Sequence, residues 1–192
     1  VSDTVKVEKK DDLETINKKL RKDPNNPDLY YERAQIELDK KLPEDALNDI
    51  NRSLDLDSTK AEFLLFKSEL AFRKGNGFEA RELIQKSIDY NPAHVESFLK
   101  LAEIQMYTHQ YEESIKNVNS ALKVDVYNAK AYFIKGMNYK YAGDTSKAVS
   151  SFQTAVEQNT EYYEAYIKLG LLYATVSDQF AVSYFNNALK LK

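Results

Sequence analysis

Side chains that could perform catalysis are few in this sequence and do not stand at the spacings that catalysis needs. The two histidines, His94 and His109, are not spaced with a second histidine or a carboxylate pair, as the metal-binding helices of zinc enzymes require. The chain has no cysteine, which excludes disulfides, thiolate metal sites and a cysteine nucleophile. Gly75 and Gly77 flank a predicted interhelical turn rather than a phosphate-binding loop, because no strand precedes them. The sequence therefore predicts a protein that is not an enzyme, with no catalytic residue, cofactor or metal site.

Residues that favour molecular recognition are abundant. The 192 residues include 14 tyrosines and 9 phenylalanines, and such side chains often anchor protein interfaces. The net charge of −3 argues against a general nucleic-acid-binding protein, which needs a basic surface to neutralise phosphates. No apolar run approaches the roughly 20 residues of a membrane-spanning helix. We therefore expect the partner to be another protein or a peptide segment, with no nucleic acid and no direct membrane insertion of this fragment.

The elements that position these side chains are copies of one unit of 34 residues. The clearest copy runs from Ala129 to Tyr162, and a shift of 34 residues aligns it with Val95 to Asn128. In this alignment Gly136 stands at the position of Ala102, so the two copies match in residue size as well as in polarity. Within each copy the apolar residues recur every three to four positions, as in two amphipathic helices joined by a tight turn. A fixed period of this length indicates a repeat array, in which each unit buries its apolar face against its neighbours.

Large and small residues recur at fixed positions of each copy. The fourth position is aromatic or large (Tyr30, Leu64, Phe98, Tyr132 and Tyr166), and the eighth is small (Ala34, Ser68, Ala102, Gly136 and Gly170). With this pattern the chain resembles the tetratricopeptide repeat family from Asp11 to its end. The small residues let paired helix backbones approach, and the large ones fill the remaining gaps. Some repeats depart from the family pattern: Glu37 and Gln105 replace the usual tyrosine at position eleven, and Arg33 and Lys67 replace the usual leucine at position seven.

The resemblance implies the fold class and its division along the chain. The fold class is all-α: a right-handed α-solenoid of tandem helix-turn-helix repeats, with five full repeats and an N-terminal half-repeat helix. The expected segments are a flexible leader (1–10), an N-terminal capping helix (11–26), and repeats at 27–60, 61–94, 95–128, 129–162 and 163–192. A half-repeat at the front of an array most simply caps the first full repeat.

The resemblance also implies a binding surface, because in this family the first helix of each repeat lines a concave groove. The predicted partner-binding groove comprises Tyr31, Glu62, Leu65, Glu69, Phe72, Glu96, Leu99, Glu103, Met106, Tyr107, Lys130, Phe133, Met137, Lys140, Tyr141 and Ile167. An apolar and aromatic lane rimmed by charge is typical of a partner site. Lys130 and Lys140 are expected to turn the groove from acidic to basic. The alternative is that half of the apolar residues belong to the core between repeats.

The predicted function is a non-enzymatic scaffold or adaptor that binds a partner segment in this groove and prefers neutral or basic segments. The alternative is a structural module of a larger or self-associating assembly. That alternative depends on the last helix, which ends at Leu189, Leu191 and Lys192 without a capping helix and leaves a surface on which copies of the chain can associate.

The compartment is left open between two possibilities. The chain begins with Val1 rather than methionine, so we expect the natural start to lie upstream of this fragment. The charged leader and the composition, rich in lysine, asparagine and tyrosine, are similar to those of bacterial envelope-attached repeat lipoproteins that serve secretion or surface assembly. This similarity favours a periplasmic or envelope-attached location, with the cytoplasm as the alternative.

Overall fold

The computed structural model describes residues 12–175 and 178–192 of the chain. Within these ranges there are eleven helices and no strand: α1 (Leu13–Lys22), α2 (Pro27–Asp39), α3 (Pro43–Leu56), α4 (Ala61–Arg73), α5 (Gly77–Tyr90), α6 (Val95–Tyr107), α7 (Tyr111–Val124), α8 (Ala129–Tyr141), α9 (Thr145–Gln158), α10 (Tyr163–Tyr173) and α11 (Asp178–Leu189). The predicted all-α fold, with one single helix followed by five helix pairs, is confirmed. The leader predicted at 1–10 lies outside the described residues.

The helices divide into two compact units, Val1–Tyr90 and Asn91–Lys192, here called the N-terminal and C-terminal units. The N-terminal unit has one core cluster between α2, α3 and α4, which includes Ile50, Phe63 and Leu70, and a second between α4 and α5. The C-terminal unit has one cluster between α6, α7 and α8, and a second that brings together Phe152 and Leu169. The first of these clusters and both clusters of the C-terminal unit join a helix pair to the first helix of the next repeat, as expected of a repeat array.

The small eighth residue of a repeat permits the close packing of its two helices. A Cβ atom at Gly136 would lie 2.7 Å from the ring of Phe152, and one at Gly170 would lie 2.5 Å from the ring of Phe185. Both distances are far below van der Waals contact, so glycine is required wherever phenylalanine fills the twenty-fourth position.

The turns inside the first four repeats share one geometry, whether or not glycine is present. The second residue after each first helix adopts a left-handed conformation: Lys41 (φ 63°), Gly75 (φ 84°), His109 (φ 61°) and Gly143 (φ 85°). The next N–H then donates to a carbonyl five residues earlier, as from Leu42 to Glu37 at 2.9 Å. This arrangement satisfies the carbonyl groups at the end of the helix, which offsets the steric cost of a positive φ at Lys41 and His109.

A charged cluster takes the place of apolar packing between α1, α2 and α3. The Arg33 guanidinium donates two hydrogen bonds to the Asp49 carboxylate, at 2.5 and 2.7 Å, and a third to Asn17 Oδ1 at 2.7 Å. The Glu37 carboxylate lies 3.8 Å from the same guanidinium, and its buried Oε2 atom has no hydrogen-bond partner among the described residues. Burial and the nearby Asp49 charge raise the pKa of Glu37 to about 7, although Arg33 opposes this. This cluster accounts for the departure of the first repeat from the family pattern.

Candidate functional site

The predicted groove residues are distributed over both units, and each unit is described separately. The N-terminal unit holds Tyr31 on α2 and Glu62, Leu65, Glu69 and Phe72 on α4. The other eleven lie in the C-terminal unit, on α6, α8 and α10. All sixteen are therefore on the first helices of their repeats.

In the N-terminal unit, aromatic packing fixes the position of Tyr31. Its ring lies 5.0 Å from that of Phe63 and 5.6 Å, edge to face, from that of Phe66, between ring centroids. Burial and the nearby charges of Glu62 and Glu69 raise the pKa of its phenol, so the neighbouring carboxylates lie close to this ring. Phe72 is 48% exposed, which makes it the most open apolar side chain of the five.

The charge on this face is predominantly acidic. Glu69 pairs with Arg73 at 2.5 Å, and Asp28 pairs with Lys60. Glu32 and Glu62 form no ion pair with any residue that the structure describes. Two uncompensated carboxylates beside exposed and half-buried aromatic rings give this face a negative potential and an apolar centre.

In the C-terminal unit, three predicted groove residues are core residues instead. Leu99, Met106 and Met137 are buried, and they pack in the two core clusters of this unit. Their thioether and aliphatic groups fill the space between α6 and α8, so they are not available to a partner. This outcome matches the alternative in which part of the apolar lane belongs to the core.

The remaining apolar residues of this unit do reach the surface. Tyr107 is 70% exposed and Tyr141 is 49% exposed, whereas Phe133 and Ile167 are half-buried. The ring of Phe133 lies 5.0 Å from that of Tyr162, a residue outside the predicted groove. Burial and the charges of Glu164 and Glu103 raise the pKa of Tyr162 to about 12.

The expected change from acidic to basic charge at Lys130 is only partly present. Lys130 Nζ lies 2.9 Å from Glu103 Oε1, and Lys100 Nζ lies 3.9 Å from the other oxygen of the same carboxylate. Glu103 therefore compensates Lys130 across α6 and α8. Lys140 instead lies with its Nζ atom 5.9 Å from the ring centre of Tyr141 and has no ion-pair partner among the described residues.

Two further features concern chemistry and membranes. Within residues 12–175 and 178–192, no group of three or more histidine, aspartate or glutamate side chains is placed to hold a metal ion. In the same part of the chain, no helix has both the length and the apolar character needed to span a bilayer.

Paired helices, small eighth residues and a shared turn geometry define the class: a helical repeat protein built from helix-turn-helix units. The tetratricopeptide repeat family profile matches residues 129–162, the same stretch that forms α8 and α9. One copy of the repeat therefore matches the tetratricopeptide repeat profile, and the all-α solenoid fold predicted from the sequence is confirmed by structural similarity.

Known proteins resemble the chain at low identity. DnaJ homolog subfamily C member 3 of Rattus norvegicus is 25% identical over 185 residues, which cover 88% of this chain and 37% of that protein. The structure of PilF from Pseudomonas aeruginosa superposes with a TM-score of 0.81 and 14% identity, over 90% of this chain and 78% of PilF. YrrB, a tetratricopeptide repeat protein with an unusual peptide-binding site, superposes with a TM-score of 0.64 and 20% identity, over 92% of each chain. The chain spans less than two fifths of the curated relatives it matches.

Proposed function

We propose that this protein is a non-enzymatic interaction module that holds a segment of a partner protein against the first helices of its repeats. The observation that carries the proposal is the face of α2 and α4, where the exposed Phe72 ring and the half-buried Tyr31 and Leu65 are flanked by carboxylates. Exposed aromatic side chains with a charged rim are characteristic of protein-binding sites. The peptide-binding site of YrrB, which has the same fold, is consistent with this use of the scaffold.

The charge of this face indicates which partner segments it accepts. Glu32 and Glu62 are uncompensated, so a lysine or arginine of the partner gains an ion pair here, while an acidic segment is repelled. The Tyr31 ring beside Glu62 and Glu69 adds a π face that attracts a cation. We therefore expect a segment that combines an apolar anchor with basic residues, in which the apolar side chain contacts Phe72.

The proposed binding of a partner segment is tested by comparing two exposed phenylalanines of the N-terminal unit, one on a first helix and one on a second helix. An array of 15-residue peptides, each with one leucine or phenylalanine flanked by lysines, is probed with wild type, Phe72→Ala and the control Phe78→Ala. Phe78 is also exposed, at 75%, but it lies on the second helix α5. Because truncating an interface hot spot costs about 1.4 kcal/mol or more, Phe72→Ala should weaken binding about tenfold. Equal effects of the two substitutions, or no effect of either, would contradict the proposal.

A second candidate function is membership of a larger or self-associating assembly. On α11, Val182 is 56% exposed and Leu189 is 68% exposed. The equivalent residues of the preceding repeat, Val149 and Val156, are half-buried against the cluster that contains Leu169. The α11 face thus presents the same apolar positions that receive a following helix elsewhere in the unit.

Light scattering over a range of protein concentrations tests this second candidate. Self-association through α11 should raise the apparent mass with concentration, and Leu189→Lys should abolish that rise because it places a charge in the apolar contact. A mass that stays that of a monomer at every concentration would contradict self-association. Phe72→Ala should leave the mass unchanged, which separates the two candidate functions.

A further inference from the structure

The N-terminal unit contains a cavity at the C-terminal ends of α2 and α4. It has a volume of about 380 Å³ and opens where α2 and α4 end and α3 begins. Its apolar lining consists of Leu38, Pro43 and Leu70. Leu70 is buried and Leu38 is half-buried in the core of the unit, so this floor is held rigidly by packing. The volume lies within the range of ligand pockets and is sufficient for one large apolar side chain.

This cavity is here called the edge pocket. Its rim is basic. Lys41, Arg73 and Lys74 line it together with Glu44. Lys74 pairs with Glu44 at 2.9 Å, but both side chains are well exposed, and exposed ion pairs contribute little. Lys41 forms no ion pair with any residue in the described part of the chain. Lys41 and Lys74 are therefore both available to an incoming carboxylate.

The backbone adds to this positive rim. Helix α3 begins at Pro43, and its N-cap residue Leu42 provides no side-chain acceptor for the first-turn N–H groups. The partial positive charge of that helix end favours an anion at the same place as the lysines. Backbone carbonyl groups at the C-terminal ends of α2 and α4 accept hydrogen bonds from the turns that follow these helices. The donors are the N–H groups of Leu42 and Asn76.

The C-terminal unit contains an equivalent cavity that serves as an internal comparison. It measures about 450 Å³ and is lined by His109, Glu112 and Ala142, which stand at the repeat positions of Lys41, Glu44 and Lys74. Neither lysine is present there. The basic rim is therefore a property of the N-terminal unit and not of the turn geometry that the repeats share.

We propose that the edge pocket is a second binding site, which takes a protein segment with a large apolar side chain next to carboxylates. The apolar side chain occupies the floor formed by Leu38 and Leu70, and the carboxylates bridge Lys41 and Lys74. This occupant follows from charge complementarity, since the rim has more cations than acids. The same unit thus selects basic segments on its acidic face and acidic segments at its edge pocket.

The experiment uses a capped, fluorescein-labelled heptapeptide in which one phenylalanine is flanked by glutamates, with lysine-flanked and alanine-centred counterparts. Fluorescence polarisation gives the affinity, and amide chemical shifts locate the site. The glutamate peptide should shift amides of residues 38–44 and 70–76. The double variant Lys41→Asn and Lys74→Gln should weaken its binding about tenfold, while Lys86→Gln, an exposed lysine on α5, should not. Asparagine at position 41 tolerates the positive φ found there.

The outcomes either support or overturn the proposal. Failure of the glutamate peptide to bind, equal binding of the lysine peptide at the same amides, or full binding by a folded double variant would overturn it. Loss of binding with the alanine-centred peptide supports the role of the apolar floor. The double variant should bind the lysine-flanked peptide on the acidic face as wild type does, so that failure of the edge pocket and failure of the proposed function are distinguished.

Discussion

The pH dependence of stability offers the sharpest test of the charged cluster in the N-terminal unit. Glu37 has a pKa of about 7 in the folded protein and an ordinary value of 4.5. The folded state therefore binds a proton that the unfolded state releases between these two values. By linkage, stability from this group is fully present below pH 4.5 and is lost as pH rises through about 7.

The magnitude follows from the size of the pKa difference. At about 1.36 kcal/mol for each pH unit, a rise from 4.5 to about 7 corresponds to roughly 3 kcal/mol at most. The Glu37 side chain is not completely enclosed, and solvent screening reduces the effect to roughly 1–2 kcal/mol. Glu37→Gln removes the titration but keeps the shape, and its amide N–H replaces the O–H of the protonated carboxyl as a donor near Asp49. The variant should be only slightly more stable than wild type at pH 5, and its excess stability should grow to about this amount at pH 8.

Urea unfolding followed by circular dichroism at pH 5, 6, 7 and 8 measures this difference. All other ionisable side chains, His94 and His109 included, are common to both proteins and cancel in the comparison. The other charged groups that act on Glu37 are Arg33, Asp45 and Asp49, and all are retained. Parallel stability curves for the variant and wild type across the whole range would refute the reasoning.

Two backbone predictions follow from the close contacts and turns. Gly136→Ala should destabilise the protein by about 1–3 kcal/mol because its Cβ would overlap the Phe152 ring, whereas Gly77→Ala, with open space around it, should be nearly neutral or stabilising. Lys41→Gly should raise stability by about 1 kcal/mol by relieving the left-handed conformation, and Gly75→Ala should lower it by a similar amount. Thermal unfolding measures all four; a neutral Gly136→Ala or a destabilising Lys41→Gly would contradict these explanations.

The fold could be predicted from the sequence because its determinants are periodic, but the exposure of individual groove residues could not. Phe72 and Met106 occupy the same position of their repeats, yet Phe72 is half exposed and Met106 is buried. Met106 packs in a cluster with Met137 and Tyr111 of its own unit. Exposure at this position therefore depends on the side chains of neighbouring helices, which a single repeat does not specify.

Tyr162 shows a second reason why the site was incompletely predicted. It precedes α10 as its N-cap residue, so a search restricted to first-helix positions does not include it. Its ring nevertheless lies against Phe133, and its phenol is close to Glu103 and Glu164. The sequence signal was an aromatic residue at the last position of a repeat, directly before a predicted helix.

The charged cluster of the first repeat has a neutral counterpart inside the same chain, which indicates what its charge adds. Gln105 and Asn117 stand at the repeat positions of Glu37 and Asp49, and Asn117 Nδ2 donates to Gln105 Oε1 at 2.8 Å. Two amides thus join the helices of the third repeat without any titration. In the first repeat the charged cluster joins α2 to α3, and these helices carry Tyr31 and part of the edge pocket. Loosening of the contact between α2 and α3 above pH 7 should therefore weaken binding at both proposed sites of the N-terminal unit together.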